Sequence, residues 1–425
     1  MKTKQKIAAA LLITAVFVLG SCSKKKQAAE NNGQIRLKVA HWDVSASGCI
    51  AAITEAFREE NPDIPVEIID IPSTDYTRKL QIMLNGGSGV DVFWIKDSGV
   101  TKSLYDCGQL ADMSAYAGRD NIDLAVYNGL AERFVIDEKL VALPASVGYY
   151  VLYYNKSIFD RAGVPYPSND MTWDEWESLA ARVTSGNGSN KVYGGFFHTW
   201  QACVQNWALQ DGKHTVMETD YSFFKPYYEM ALRMQNAGIV WDYGSLKNSG
   251  IHYSSAFLQG NVAMMPMGTW FYSAIIGKIN KGESNIRWGL ATLPHPPQTD
   301  AGWTVGSVTP IAINRASRRK DAAWEFVKFV TGGKGAGIYA EYGLNPARAD
   351  DKALITIAMS SGMPEGALEA LTVKNIALDR PMADQAAEIN LMLGQEHSLI
   401  MLKEVSIDKG LQNMSKRSKE IQNNN

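Results

Sequence analysis

Three short apolar segments, separated by two helical ones, make up the chain between residues 34 and 95. Gln34–His41 alternates apolar and polar residues, and Val66–Ile71 and Val90–Ile95 are equally short and apolar, as β-strands are. Cys49–Glu60 and Tyr76–Leu84 lie between them with apolar residues at helical spacing, and turn residues follow each. This βαβαβ order predicts an α/β fold whose mostly parallel sheet is covered by helices on both faces.

Polar and aromatic residues stand where two of these strands end. In parallel sheets a ligand binds beyond the carboxyl ends of the strands, which here carry Trp42, Asp43, Trp94 and Asp97. We expect the two aspartates to accept hydrogen bonds from a ligand and the two tryptophans to stack on it. The alternative is that the aspartates cap the helices that follow and that the rings are structural.

The rest of the chain repeats the alternation. Val147–Tyr154 is apolar on both faces and predicts a covered strand, and Thr172 and Glu175 have the spacing of a helix capping box. A chain of 425 residues exceeds the size at which one core stops growing, so we expect two domains. Almost everything after Lys352 predicts helix, and further segments predict strands at 262–267, 288–293 and 308–314 and helices at 221–237, 253–259 and 321–330.

The N-terminus has the features of an export signal. A short basic region, MKTKQK, precedes the apolar run IAAALLITAVFVLG, which is too short to span a membrane comfortably. Leu19-Gly20-Ser21-Cys22 resembles a bacterial lipobox, and this resemblance implies cleavage before Cys22 and a lipid on that cysteine. An ordinary signal peptide with a chance cysteine is the alternative. We expect residues 1–21 to be the signal peptide, residues 22–34 a lipidated flexible tether, and the protein to stay at the extracytoplasmic face of the cell membrane.

Charge and motifs argue against several classes of function. The formal net charge is −2 and no basic patch appears, which argues against binding of nucleic acid. The cysteines and histidines lack zinc-site spacing, no GxSxG sequence is present, and GGKGAG at 332–337 follows a helix rather than a strand, unlike a phosphate-binding loop. We therefore predict a protein that is not an enzyme and needs no metal or cofactor. A glycoside hydrolase needs only two carboxylates and stays an alternative.

Several segments, in order, resemble the extracellular solute-binding proteins of ATP-binding cassette importers, in particular the sugar-binding branch. The resemblance extends from about Ile35 to Arg348, and it departs from the family pattern at Gly306-Ser307, where the family often has two glycines. The segments are AFREENPDIPVEI, LQIMLNGGSGVDVFWI, the stretch from Leu143 to Trp176 with its LYYNK sequence, AFLQGNVAMMPMGTWF, GSVTPIAINRASRRKDAAWEFVKFV and YGLNPAR.

The resemblance implies a two-lobe periplasmic-binding-protein fold (type II-like), in which each lobe is a mixed sheet flanked by helices and the ligand lies in the cleft between them. It further implies a monomer that captures a mono- or oligosaccharide and delivers it to the permease subunits of an importer. A non-sugar solute such as a polyamine or a peptide is the alternative. Carried onto this chain, lobe one is 35–145 plus 315–344, lobe two is 149–305 plus 350–425, and hinge crossings lie near 144–148, 305–314 and 345–348.

A sugar site needs aromatic planes and polar partners together. The C–H face of a pyranose packs on an aromatic ring, and its hydroxyls require charged or amide groups. Of Tyr149 and Tyr150, which follow the first predicted crossing, we expect one to face the ligand and favour Tyr149. Besides the four strand-end residues, the predicted ligand-binding set contains Tyr149, Trp200, Trp207, Trp270, Trp303 and Arg348.

Overall fold

The computed structural model of the protein describes residues 36–87, 89–348 and 351–423. The predicted signal peptide, Cys22 and the tether lie outside these residues. The strands are β1 (Leu37–Trp42), β2 (Val66–Ile71), β3 (Val92–Trp94), β4 (Val135–Ile136), β5 (Lys139–Leu140), β6 (Leu143–Asn155), β7 (Met264–Gly268), β8 (Trp288–Ala291), β9 (Trp303–Ile313) and β10 (Asn375–Leu378).

Helices flank these strands throughout the described residues. They are α1 (Val44–Ser47), α2 (Cys49–Glu60), α3 (Tyr76–Asn85), α4 (Thr101–Asp106), α5 (Ser114–Arg119), α6 (Lys156–Ala162), α7 (Trp173–Val183), α8 (Ala202–Gln205), α9 (Lys225–Asn236), α10 (Tyr243–Ser249), α11 (Tyr253–Leu258), α12 (Tyr272–Asn280), α13 (Lys320–Thr331), α14 (Gly333–Glu341), α15 (Asp351–Ala358), α16 (Ala367–Leu371), α17 (Ala386–Met401) and α18 (Ile407–Asn423). Within the described ranges, none of these helices is both long enough and apolar enough to cross a membrane.

The larger sheet has the strand order β2-β1-β3-β9-β6-β7, with β10 added to β9 and β8 added to β6. The strands β2, β1 and β3 are parallel to one another, as the βαβαβ pattern predicts. β9 joins β3 in the antiparallel sense, and β6 is antiparallel to β9, β7 and β8. The sheet is therefore mixed.

Two long strands take part in two hydrophobic cores. The first core consists of two clusters that cover opposite faces of β1 and β3, and it includes Leu143 and Ile311. The second core surrounds β7, β8 and the later part of β6, and it includes Tyr153 and Val305. β6 and β9 thus pass from one core to the other while remaining paired, from Leu143 opposite Ile311 to Tyr149 opposite Gly306.

Most predicted elements are present, and the differences have local causes. The capping box at α7 is confirmed, because Thr172 Oγ1 accepts from the Glu175 N–H and the Glu175 carboxylate accepts from the Thr172 N–H at 2.8 Å. The helix predicted at 221–237 begins only at Lys225, since Pro226 favours the first turn of a helix. The helices expected after Lys352 are present as α15 to α18, but the expectation missed Asn375–Leu378, which pairs with the start of β9 as β10.

One buried carboxylate joins the start of the sheet to the chain that returns from β9. Asp91 accepts hydrogen bonds from the Lys38 N–H at 2.9 Å and from Ser317 Oγ at 2.6 Å. Arg319 Nη1 lies 3.0 Å from the same carboxylate, which is almost inaccessible to solvent. Asp91 therefore fixes β1, β3 and the segment before α13 relative to one another.

We expect Asp91→Asn to lower the free energy of unfolding by about 2 kcal/mol or more, because an amide cannot satisfy these three donors and leaves Arg319 without its counter-charge. Urea unfolding of the full-length chain measures this change. Asp75→Asn is the control, since Asp75 is an exposed partner of Arg78 and its loss should change little. Equal stability of the two variants would contradict the role assigned to Asp91.

Candidate functional site

Two strands run toward each other along one edge of β9. β3 is antiparallel to β9 and ends opposite Ile311, whereas β10 is parallel to β9 and ends opposite Gly306. The other edge of β9 is occupied there by β6. The chain after β3 and the chain after β10 therefore converge over residues 307–310. The Ile95 N–H donates to the Pro310 carbonyl at 2.8 Å, and the Asp379 N–H donates to the Gly306 carbonyl at 3.0 Å.

An ion pair joins the two converging segments. Arg380 Nη1 lies 3.1 Å from Asp97 Oδ2, and both side chains are partly exposed, at 33% and 21%. Ser98 Oγ donates to the Arg380 carbonyl at 3.2 Å. Asp97 Oδ1 also accepts from the Gly99 N–H at 3.0 Å and caps the short 3-10 turn Ser98–Val100. Of the two roles that the sequence suggested for Asp97, the structure shows the cap, and the hydrogen bond to a ligand stays a prediction.

Asp379 is the most enclosed acidic group of the site. Its side chain is 8% exposed, and Oδ2 accepts from Asn206 Nδ2 at 3.3 Å. Its Oδ1 atom is buried and has no hydrogen-bond partner among the described residues. Burial raises the pKa of Asp379 to about 6; the positive charge of Arg380 opposes this rise and the negative charge of Asp97 adds to it.

Trp42 forms an aromatic platform at the end of β1. Its half-buried ring stacks on His41 with centroids 4.2 Å apart and meets the Tyr76 ring edge-on at 5.0 Å. Burial lowers the pKa of His41 to about 4, so this imidazole is neutral at pH 7. Lys96 Nζ lies 5.9 Å from the centroid of the Trp42 ring. The indole is therefore held in place from several sides.

Asp43 and Lys96 add opposite charges beside this platform. Asp43 is exposed, has left-handed backbone angles, and accepts from the Ser73 N–H at 3.0 Å rather than capping α1. Lys96 Nζ donates to the Ser73 carbonyl at 2.6 Å, and burial lowers the pKa of Lys96. The charges of Asp43, Asp97 and Arg380 all act on Lys96, so the structure brings these groups together.

The two tyrosines at the start of the second core point in different directions. The Tyr149 hydroxyl donates to the Leu371 carbonyl at 2.8 Å, and the ring is buried in the second core. The Tyr150 ring meets Trp207 and Trp270 edge-on at 5.3 and 5.6 Å. The charges of Asp379 and Arg380 act on its hydroxyl. Successive side chains of a strand alternate, so Tyr149 lies on the side of Leu371 and Tyr150 on the side of Asp379 and Arg380; which of the two contacts a ligand stays a prediction.

Two of the predicted stacking tryptophans are core residues. Trp94 is completely buried, and its Nε1 donates to the Tyr339 hydroxyl at 3.1 Å inside the first core. Trp207 is also completely buried and stacks on Trp173 with centroids 4.8 Å apart. The expectation that Trp94 and Trp207 present a face to a ligand is therefore corrected. Trp207 instead packs against the Tyr150 ring.

Trp270 is the aromatic residue of the second core that best fits the site. Its partly exposed ring covers Gly148 and Gly268, where an added Cβ atom would approach the ring to 2.8 and 2.1 Å. The two glycines are therefore required for the ring to lie flat against β6 and β7. With Tyr150 it forms an aromatic pair directly beside the β6–β9 ladder.

The remaining predicted residues lie in other surroundings. Trp303 begins β9 and packs over Gly212, while its carbonyl accepts from Gln210 Nε2 at 3.0 Å. Trp200 is 38% exposed and meets the His198 ring edge-on at 4.6 Å.

Arg348 is half-buried near Tyr127. Burial raises the pKa of Tyr127, and the positive charge of Arg348 acts against this rise. Among the described residues no ion pair joins Arg348 to Asp43, Asp97 or Asp379. The structure does not bring Trp200, Trp303 or Arg348 into contact with the Asp97–Arg380 pair.

The sequence prediction missed Asn206, Asp379 and Arg380. Asn206 lies in QACVQN, a segment with no clear period, and it begins the 3-10 turn Asn206–Asp211. Asp379 and Arg380 follow a strand of four residues in a region predicted to be helical. The signal that could have revealed them is the sequence NIALDRP, a short apolar run followed by two charged residues and a proline.

Comparison with known proteins identifies the family. The sequence model of the bacterial extracellular solute-binding proteins matches residues 44–336. The chain is 39% identical to a sugar transporter from Rhizobium etli whose crystal structure shows an open conformation; the match covers 91% of this chain and 100% of that one, with a TM-score of 0.80. It is 22% identical to an ABC substrate-binding protein from Listeria monocytogenes solved with cycloalternan, over 91% and 98% of the two chains, with a TM-score of 0.78.

The chain is also similar in sequence to a protein with a named sugar-binding role. The multiple sugar-binding protein of Streptococcus mutans is 21% identical over 341 residues, which is 75% of this chain and 76% of that protein. The fold is therefore the two-lobe α/β fold of periplasmic binding proteins, with a ligand cleft between the lobes. The family implies an extracytoplasmic location and a binding role. This chain is a bacterial extracellular solute-binding protein.

Proposed function

We propose that the protein captures a mono- or oligosaccharide in the cleft between its lobes and delivers it to the permease subunits of an ATP-binding cassette importer. The observation that carries this proposal is the convergence of β3 and β10, which brings carboxylates, an arginine and aromatic rings to one place. The names of the relatives from Rhizobium etli and Streptococcus mutans, a sugar transporter and a multiple sugar-binding protein, support the same ligand class.

The chemistry of these side chains suits a sugar. Trp42 and Trp270, whose rings are partly exposed, offer aromatic surface for the C–H face of a pyranose. Asp97 and Asp379 can accept hydrogen bonds from hydroxyls more strongly than neutral groups do, because they are charged. Arg380 and Asn206 add donors beside them.

The hinge is proposed at the crossings near 144–148, 305–314 and 345–348, between a lobe of 35–145 plus 315–344 and a lobe of 149–305 plus 350–425. Pro144 stands opposite Pro310 in the β6–β9 pairing, and the register shifts between Pro144 and Ser146. Neither proline has an N–H to donate, so the ladder is weakest there. The third crossing lies against the same place, since the Val147 N–H donates to the Asn345 carbonyl at 2.9 Å. A few adjoining residues that absorb backbone rotation are what closure of two lobes requires.

The mature protein is proposed to be a lipid-anchored monomer. Lipid on Cys22 would hold it at the extracytoplasmic face of the membrane, near the permease, and the polar segment after Cys22 would give the domain reach. Closure around the sugar distinguishes the loaded form from the empty one, which is how a two-state hinge can signal to a permease.

A sugar library separates this proposal from hydrolysis and from other ligands. We expect thermal shift of the full-length chain to show stabilisation by one class of neutral sugar, by about 2.7 kcal/mol when the free sugar is at 100 times its Kd. Chromatography of the same mixtures should recover the sugar intact. Stabilisation only by a polyamine or a peptide, or appearance of a cleaved product, would contradict sugar capture without catalysis.

Tyr150→Phe should weaken binding of that sugar by about three- to tenfold, the effect of losing one hydrogen bond, with little change in stability. Isothermal titration calorimetry measures the affinity. Tyr149→Phe is the matched control: it loses the bond to Leu371 and should lower stability but leave the affinity unchanged. The reverse pattern would restore Tyr149 to the site and exclude Tyr150.

Gly268→Ala should weaken sugar binding and lower stability by about 1–3 kcal/mol, because its methyl group must push the Trp270 ring out of place. Gly277→Ala serves as the control, since nothing lies within 4 Å of the new atom in the middle of α12. This helical substitution should raise stability by about 0.5–1 kcal/mol. Sugar affinity that is equal in the two variants would show that Trp270 does not contact the ligand.

A further inference from the structure

One carboxylate oxygen at the candidate site has no donor. Asp379 is 8% exposed, its Oδ2 atom accepts from Asn206, and its buried Oδ1 atom has no partner among the described residues. Buried polar atoms are almost always hydrogen-bonded, and each exception calls for an explanation such as a ligand or a water. The exception here lies where β3 and β10 converge.

The position of this oxygen is fixed by the fold. The Asp379 N–H donates to the Gly306 carbonyl, which continues the parallel pairing of β10 with β9 by one residue. Asn206 holds the other carboxylate oxygen from the side of the second core. Oδ1 is therefore a preorganised acceptor. A ligand that binds to it does not lose free energy in fixing the conformation of the Asp379 side chain.

The groups around Asp379 come from several elements. Arg380 is its neighbour in the chain, Asp97 follows β3, Asn206 begins a 3-10 turn, and Tyr150 lies on β6. Arg380 is already paired with Asp97 at 3.1 Å. None of these groups donates a hydrogen bond to Oδ1.

We propose that Asp379 is a specificity-determining residue, whose Oδ1 accepts a hydrogen bond from a hydroxyl or ammonium group of the sugar, and that the site prefers neutral or amino sugars to sugar acids. The proposal rests on the proposed function and narrows its ligand class. The preference follows because Oδ1 accepts hydrogen bonds and lacks a donor. A sugar carboxylate is itself an acceptor and could not supply that donor.

The charges of the site favour the same selectivity. The three carboxylates of Asp43, Asp97 and Asp379 lie near the two cations Lys96 and Arg380, and Arg380 is paired with Asp97. A sugar acid would bring a negative charge to a place with an excess of negative charge. An amino sugar would bring a counter-charge for Asp379.

The proposal predicts a dependence of binding on pH. Burial raises the pKa of Asp379 to about 6, and only the ionised form offers a charged acceptor at Oδ1. Affinity for a neutral sugar should therefore be full at pH 7.5 and fall as the pH is lowered through about 6. The pKa of His41, about 4, keeps that ring neutral over this range.

The test is calorimetric titration of the full-length chain with matched sets of sugars: glucose, glucosamine and glucuronate, and the corresponding galactose and mannose series. The neutral or amino member of the bound series should bind at least tenfold more tightly than the acid. Asp379→Asn should weaken that binding by about tenfold, the effect of losing a charge-assisted hydrogen bond, and should abolish its pH dependence between 7.5 and 5.

Two measurements separate a binding role from a structural one. Because the pKa of Asp379 is raised in the folded state, ionising this carboxyl lowers the free energy of unfolding. The loss is absent below the pKa of the unfolded state and grows as the pH rises to about 6. Asp379→Asn should therefore be at least as stable as the wild type at pH 7. Glu396→Gln is the control: this buried carboxylate is held by Arg417 at 2.8 Å and Asn413 at 3.1 Å, so its loss should lower stability but not affinity.

The outcomes distinguish this inference from the function on which it rests. Tight binding of a sugar acid, or unchanged affinity and pH dependence in Asp379→Asn, would overturn the role of Asp379 while sugar capture stands. Failure of the wild type to bind any mono- or oligosaccharide, with binding of a solute that is not a sugar instead, would overturn both.

Discussion

The antiparallel pairing of β6 with β9 is the interaction on which the rest of the structure depends. Each strand contributes buried side chains to two hydrophobic cores, and their ladder from Leu143–Ile311 to Tyr149–Gly306 is the covalent and hydrogen-bonded link between them. β9 also carries β3 and β10 on its other edge, running toward each other. The place where polar groups from two distant parts of the sequence meet is therefore set by one strand. If the β6–β9 register shifted by one residue, every side chain along it would change faces.

The electrostatics of the site follow from this geometry. Asp97 and Arg380 are 283 residues apart in the sequence, yet their side chains form an ion pair because β3 and β10 end over the same few residues of β9. Asp379 is enclosed for the same reason, and its enclosure raises its pKa. Aromatic rings complete the surroundings from both cores, with Trp42 at the end of β1 and Trp270 beside β7. A cleft with these contents can hold a polyhydroxylated ligand from both sides, and we propose that the hinge lies at Pro144 and Pro310, which are opposite each other in the ladder.

The sequence predicted the fold well and the site only partly. Hydrophobic period and turn residues located β1, α2, β2 and α3 closely, because each is decided by a few neighbouring residues. The strand ends indicated Trp42, Asp43 and Asp97, which lie near Lys96 and Arg380 in the structure, and their contact with a ligand stays a prediction. The choice between Tyr149 and Tyr150 could not be made from the sequence, because both faces of β6 are apolar and only the packing of Leu371 shows which hydroxyl is used in the core. Asp379 and Arg380 were missed because β10 is a strand only through its pairing with β9, and four residues carry too little local signal.

Hydrogen–deuterium exchange of the full-length chain, with and without the neutral sugar that stabilises it best, would show whether the ligand binds where β3 and β10 converge. We expect slower exchange on binding in three separate segments, those around Asp97, around Tyr150 and around Asp379, and also near the crossing at 345–347. Protection confined to one core, or protection that leaves the segments after β3 and β10 unchanged, would contradict a ligand site built where those two strands converge.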